Sequence, residues 1–423
     1  MSRAARSLLI ATALAAAGAY LAVDAWWNSS LVRYLLCGLV LGALLMLPLL
    51  TLLLFAERAR RTWRKLLFAM LPLLALLLLA EVAVRLFAAP REAPAVLRAD
   101  ARLGHVVVPG TAGTDARGWR NAAAAERCDA LFVGDSQTWG FGVARDEAFP
   151  QRFAAAGDEH CYQMATGSYG PVQYVELVRR GLQLQPRLVV VAFYFGNDLV
   201  DAADYAGLDG AEALRTDGVR YDVRDNPELR GRRSPNVAMT LIDGALALSQ
   251  LLDAAANVVK SRLRGGLLDR QPGAVPFDDD DAPTILLPAY REHALDLDNP
   301  NVADGARVTA RCLQAIAALC RDAGAASVVL AIPTKEFTYA EWQGDAVPEL
   351  RELTARERRA RERVFAAVAA ADLELVDLTG ALVDALRGGE QPWFRSGDGH
   401  LAAAQPRARR RGAGRRARPL TSW

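Results

Sequence analysis

Leu188–Phe195 reads LVVVAFYF and runs straight into Gly196-Asn197-Asp198. Eight apolar residues without polar alternation do not suit a half-solvated edge strand. They suit a central parallel strand buried on both faces. Upstream, 129–133 has the same buried texture, ends in Gly134-Asp135-Ser136 and continues as helix-compatible sequence to about Ala156. A second strand at 162–166 ends at Gly167, and 172–184 reads as the next helix. Downstream, beyond a long interruption at 200–303, the pattern resumes as helix 308–323, strand 327–332, helix 350–371 and strand 373–378. Strands alternating with helices predict an α/β fold with a central parallel sheet and helices on both faces. Ligands of such sheets bind beyond the carboxyl ends of the strands. The polar groups after the first and third strands and the loop after the last are therefore expected to converge.

Those groups suggest a chemistry. A serine between a buried strand and a helix is placed for nucleophilic attack, with backbone N–H groups at the helix start to receive developing charge. The same serine also fits an ordinary N-cap, and on its position alone the cap is the favoured reading of Ser136. Asp398-Gly399-His400 changes the balance, because an aspartate two residues before a histidine can hold the ring in one tautomer while its other nitrogen faces the serine. The remaining histidines stand in weaker contexts: His105 in the lead-in, His160 before the second strand and His293 in the interruption. Asn197, just past the strongest strand, is a side-chain donor for an oxyanion. The chain has no GxSxG, HExxH or CxxC, and none of its three lysines follows a glycine, so hydrolase-elbow, zincin, thioredoxin and Walker A chemistry are excluded.

Gly134-Asp135-Ser136, Gly167, Gly196-Asn197-Asp198 and Asp398-x-His400 resemble, in order, the four sequence blocks of SGNH (GDSL-like) esterases and lipases. The resemblance extends from about 115 to 401, apart from the insertion at 200–303, and implies a domain over 128–401. It is closest to membrane-anchored bacterial members in the segments GDSQTWGFGV, GSYGPVQY and IPTKE. It implies a flavodoxin-like three-layer α/β/α domain in which Ser136 is the nucleophile, His400 the general base and Asp398 its orienter. It also implies an oxyanion hole from the Ser136 amide, a Gly167 amide and the Asn197 side chain, with Ala165 or Ser168 as alternatives to Gly167. Asp135, Gly196 and Asp198 then support their turns. The implied activity is carboxylic-ester hydrolysis with neither metal nor cofactor. Transfer of the acyl group to a cell-envelope polysaccharide is the related alternative, and a non-catalytic binding protein of the same fold is the third. The substrate is an ester or acylated glycan in either enzymatic case. The family pattern also leads to expect a closing helix after the histidine, which the tail at 402–423 does not resemble.

The rest of the chain sets the compartment. Of 423 residues 52% are apolar, and the longest apolar runs fall before residue 90, at about 7–24, 31–55 and 66–87. Each is near the roughly 20 residues that cross a bilayer core, although the first also suits a signal peptide. The loop 57–65 carries Arg58, Arg60, Arg61, Arg64 and Lys65 and the loop 24–30 no positive charge, so the positive-inside rule keeps 57–65 in the cytoplasm. Residues from an extended lead-in at 91–127 onward are then outside, in a multi-pass protein of the inner membrane whose partner is the lipid bilayer. Net charge is only +2, and seven arginines within 407–418 supply more than that excess, so a nucleic-acid partner is not expected. Such an arginine-rich end fits either a basic tail or a frameshift in GC-rich coding sequence. The acidic run Asp278–Asp281 lacks the glycine and distal glutamate of a calcium loop and reads as solvated chain. Cys128 and Cys161 precede neighbouring strands and are expected either to pair or to remain two buried thiols.

Overall fold

The computed structural model describes residues 95–157, 159–221, 273–277, 282–344 and 347–402, all within one compact unit. The three N-terminal apolar runs, the part of the interruption at 222–272, Asp278–Asp281 and the chain after Ala402 lie outside the described residues. Among the described residues, no helix is long and apolar enough to cross a membrane.

The lead-in forms a hairpin, β1 (Leu97–Asp100) antiparallel to β2 (Gly104–Val107). β3 (Ala130–Gly134), α1 (Ser136–Trp139), α2 (Phe149–Gly157), β4 (Cys161–Ala165), α3 (Pro171–Gly181), β5 (Leu188–Tyr194) and α4 (Asp198–Tyr205) follow. A small hairpin, β6 (Val275–Phe277) with β7 (Thr284–Leu286), then precedes α5 (Pro288–Leu295) and α6 (Pro300–Ala323). β8 (Ala326–Ile332), α7 (Lys335–Gln343), α8 (Arg351–Ala370), β9 (Glu374–Asp377) and α9 (Thr379–Arg387) complete the order.

The central sheet is parallel, in the order β4-β3-β5-β8-β9. Numbered along the chain this is 2-1-3-4-5, a doubly wound arrangement whose switch point lies between β3 and β5. LVVVAFY is its middle strand and is buried from Val189 onward. Side-chain alternation divides the core. Leu131, Val133, Val189 and Val191 face Val178, Val308, Cys312 and Ile316 of α3 and α6, while Phe193 and Val329 meet Val364 and Val368 of α8. The intervening residues Phe132, Val190, Ala192 and Tyr194 face Phe149 and Phe153 of α2, Tyr339 of α7 and Leu386 of α9.

Two departures from the sequence reading have local causes. The helix expected from Ser136 to about Ala156 is one turn, then a gap, then α2. Gly140 and Gly142 adopt left-handed φ of +76° and +84° and end α1 as soon as it forms. The interruption at 200–303 contains α4, α5 and the first turns of α6. Asn299 caps α6 by accepting from the Asn301 amide, Pro300 opens it, and Gly324 at φ +68° closes it. Cys128 and Cys161 are free and buried. β3 and β4 pair Ala130 with Cys161, so Cys128 lies two residues out of register with its expected partner. Two residues of rise across one strand spacing amount to about 8 Å, beyond the reach of a disulfide. The pairing alternative needs similar starting heights, and theirs differ.

Candidate active site

Every block ends on the same edge of the sheet. Gly134 and Ala165 are in register, as are Tyr194 and Ile332, and β5 and β8 run two residues beyond β3 and β4, so the chain leaves all four strands at the same end of the sheet. Ser136 opens α1 two residues past β3, and Asp135 caps that turn by accepting from the Gln137 amide at 2.9 Å. The loop after α9 returns to this edge, where a bridge between Trp393 and Leu401 closes it around Asp398 and His400.

Ser136 Oγ lies 2.9 Å from His400 Nε2, and His400 Nδ1 lies 2.6 Å from Asp398 Oδ1. An ionised carboxylate only accepts, so Nδ1 carries the ring proton and the Nε2 lone pair accepts from the serine hydroxyl. The spacing of two residues has a direct cause. Asp398 Oδ1 also accepts from the His400 backbone amide at 3.1 Å, folding the aspartate over its own turn and under the ring. Phe141, 38% exposed, lies beside that ring with 5.0 Å between centroids and forms an aromatic lip over it.

Asn197 Nδ2 donates to Asp201, which leaves one amide hydrogen for another acceptor, and its Oδ1 is buried without a partner. A Cβ on Gly167 would meet nothing within 4 Å, so the backbone there borders open space. Ala165 is inside β4, and Ser168 adopts a left-handed φ of +61°. Asp198 accepts from the Tyr194 amide and the Tyr174 hydroxyl, both at 3.0 Å, which ties the turn after β5 to α3. Burial, followed by the nearby Asp135 and Asp201, pushes the Asp198 carboxyl well above the usual range. Burial likewise raises Asp135 to about 6, even though the Gln137 amide and His400 draw it down. Gly196 stands against the Tyr194 ring, where a Cβ would come within 2.3 Å.

Several supporting residues escape sequence reasoning. His105, in the lead-in, donates from Nε2 to the Gly167 carbonyl at 3.0 Å, and its own carbonyl accepts from Tyr169 Oη at 2.6 Å. Gln137 donates to the Gly399 carbonyl at 2.9 Å and accepts from the Leu401 amide at 3.0 Å, joining the serine turn to the histidine loop. Arg120 donates to the Trp139, Gly140 and Val143 carbonyls, each at 2.9 Å, and so finishes α1. Arg291 of α5 lies 5.6 Å over the Tyr194 ring and would touch any Cβ on Gly399. Their partners are 19 to 264 residues away in sequence, so no local pattern marks them. His160 begins the opposite edge of the sheet, and His293 is exposed on α5. A recess of about 500 Å³ beside β1 and β2, lined by Arg98, Arg117, Trp119, Tyr162 and Arg180, includes none of the candidate residues. Among the described residues no cluster could hold a metal ion.

No family model and no curated protein matches the chain. Among solved structures, a Bacteroides fragilis protein described as a candidate acylhydrolase aligns over 60% of this chain and 69% of its own. Identity is 12% and the TM-score 0.26, a likeness too low to bear on fold or activity.

Proposed function

We propose that the chain is a serine esterase of SGNH type, using Ser136 as nucleophile, His400 as general base and Asp398 to orient it. The observation that carries this reading is the continuous hydrogen-bonded line from Ser136 Oγ through both ring nitrogens to Asp398. Attack of Oγ on the ester carbonyl passes its proton to Nε2, and the imidazolium formed is stabilised by the carboxylate at Nδ1. The Ser136 and Gly167 amides and the free hydrogen of Asn197 are the donors for the oxyanion. The imidazolium then protonates the departing alkoxide, and water, activated by the same ring, releases the acid. A sugar hydroxyl in place of that water would make the enzyme an O-acyltransferase. With p-nitrophenyl acetate as donor, the expected result is free acetate at the rate of p-nitrophenol release, with or without an added glycan. Acetate appearing on the glycan instead would move the reading to the transferase, and no p-nitrophenol release at all would favour a binding protein.

The apolar runs at 7–24, 31–55 and 66–87 extend the proposal to a membrane-tethered enzyme whose site faces away from the cytoplasm. A phosphatase reporter joined after Asp100 is expected to be active, and one joined within 57–65 inactive. The reverse pattern would place the site in the cytoplasm.

A further inference from the structure

Lys335 is the first residue of α7, directly after the turn that ends β8, and is fully buried. Thr334 caps the helix through the Phe337 amide at 3.1 Å. Its own amide and hydroxyl are both held by Glu357 of α8, a carboxyl that burial raises to about 7. The residue that precedes Lys335 is therefore held by three hydrogen bonds.

Its ammonium reaches across to the histidine loop. Nζ donates to the carbonyls of Phe394 at 2.9 Å and Ser396 at 2.6 Å, and lies 3.4 Å from that of Asp398. These are alternate residues, so every second carbonyl of the loop turns toward one point. Apart from the Trp393–Leu401 bridge the loop contains no regular structure, and Gln137 and Tyr194 hold it only at its far end, on the Gly399 carbonyl and the Leu401 amide. Thr284 approaches the Phe394 and Arg395 carbonyls at 3.2 Å, and Ser396 Oγ accepts from the Asp398 amide at 3.3 Å. The backbone of Asp398 is thus gripped on its carbonyl side by Lys335 and on its amide side by the loop, while its carboxylate is turned to His400.

A buried lysine is costly unless its charge is met, and three main-chain dipoles aimed at one ammonium meet it as they would a bound cation. We propose that Lys335 is the positioning residue of this site: its ammonium gathers the 394–398 loop and so sets Asp398 and His400 at the correct distance from Ser136. The proposal rests on the Ser136–His400–Asp398 reading. It assigns a specific task to the IPTKE segment, which in the sequence is only family texture.

The test is Lys335→Met, with Lys335→Gln as the less severe change, in the full chain with p-nitrophenyl acetate and Ser136→Ala alongside. A misplacement of about 1 Å costs on the order of 100-fold in kcat. A loss of that size is expected for Lys335→Met, a smaller one for Lys335→Gln, and KM within about twofold of wild type for both. Lys335→Ala, which leaves space, is expected to regain kcat with added propylammonium but not with sodium chloride at equal ionic strength. A merely structural lysine would give neither the split between kcat and KM nor the rescue. Wild-type kcat in a folded variant, or a loss confined to KM, would overturn the proposal alone. Failure of all three variants to fold would do the same, since Lys335 would then serve the fold. Wild-type rates in Ser136→Ala would instead remove the reading beneath it.

Discussion

Ser136→Ala is expected to lower kcat for p-nitrophenyl acetate by 10³-fold or more while leaving the melting temperature near that of wild type. The hydroxyl is the only atom removed, and its contacts are the 2.9 Å bond to His400 and a 3.5 Å approach to Asp135. The Asp135 cap of α1, which uses the Gln137 amide, does not involve it. In a hydrogen-bonded triad the members act as a unit, and the loss on removing one is on the order of 10³- to 10⁶-fold. Asp398→Asn tests the same line from its far end. An amide in place of the carboxylate can present Nδ2–H to Nδ1, which reverses the ring tautomer and puts the proton on the face toward Ser136. The expected loss is about 10³–10⁴-fold. If Ser136 were only the start of a helix, both variants would retain wild-type rates, and that result would sink the assignment.

Gly305→Ala is expected to destabilise the domain by about 3 kcal/mol, even though alanine gains about 1 kcal/mol over glycine within a helix. Gly305 is on α6 where that helix crosses α4, and a Cβ there would come within 1.7 Å of the Leu199 carbonyl oxygen. The obstacle is backbone, so no side chain can rotate away and the two helices must part. For a domain of this size the melting temperature should fall by roughly 6–12 °C. Because α4 begins at Asp198, beside Asn197, separation of the helices should also weaken the oxyanion side of the site. Gly380→Ala, in α9 with nothing within 4 Å of the added carbon, serves as the control and is expected to be neutral or slightly stabilising. Equal melting temperatures for the two variants would show that α4 and α6 are not packed as described.

The layered architecture was legible because burial on both faces of a strand leaves an unbroken apolar run, and LVVVAFY has no other economical reading. The meeting of Ser136 with Asp398 and His400 was legible for a related reason: Ser136 directly follows a strand that periodicity locates, and Asp398 reaches His400 within its own turn. Their convergence then follows from the parallel direction of the strands, which brings every carboxyl end to one edge.

What the sequence could not determine depends on pairings between distant segments. The register of β3 on β4 is set by how the side chains of two sheet faces pack together, and it separates Cys128 from Cys161 although both precede their strands. α4 was hidden because Asp198, Asp201 and Asp204 break up its apolar content; its buried face, Leu199, Ala202, Ala203 and Tyr205, becomes evident only once α6 lies against it. His105, Gln137, Arg291 and Lys335 have the same character. Each is an ordinary residue in its own neighbourhood, and each gains its role from backbone carbonyls or glycines that only the tertiary structure brings within reach. A linear pattern records which atoms are available, whereas hydrogen bonds of about 3 Å depend on where the whole chain has packed.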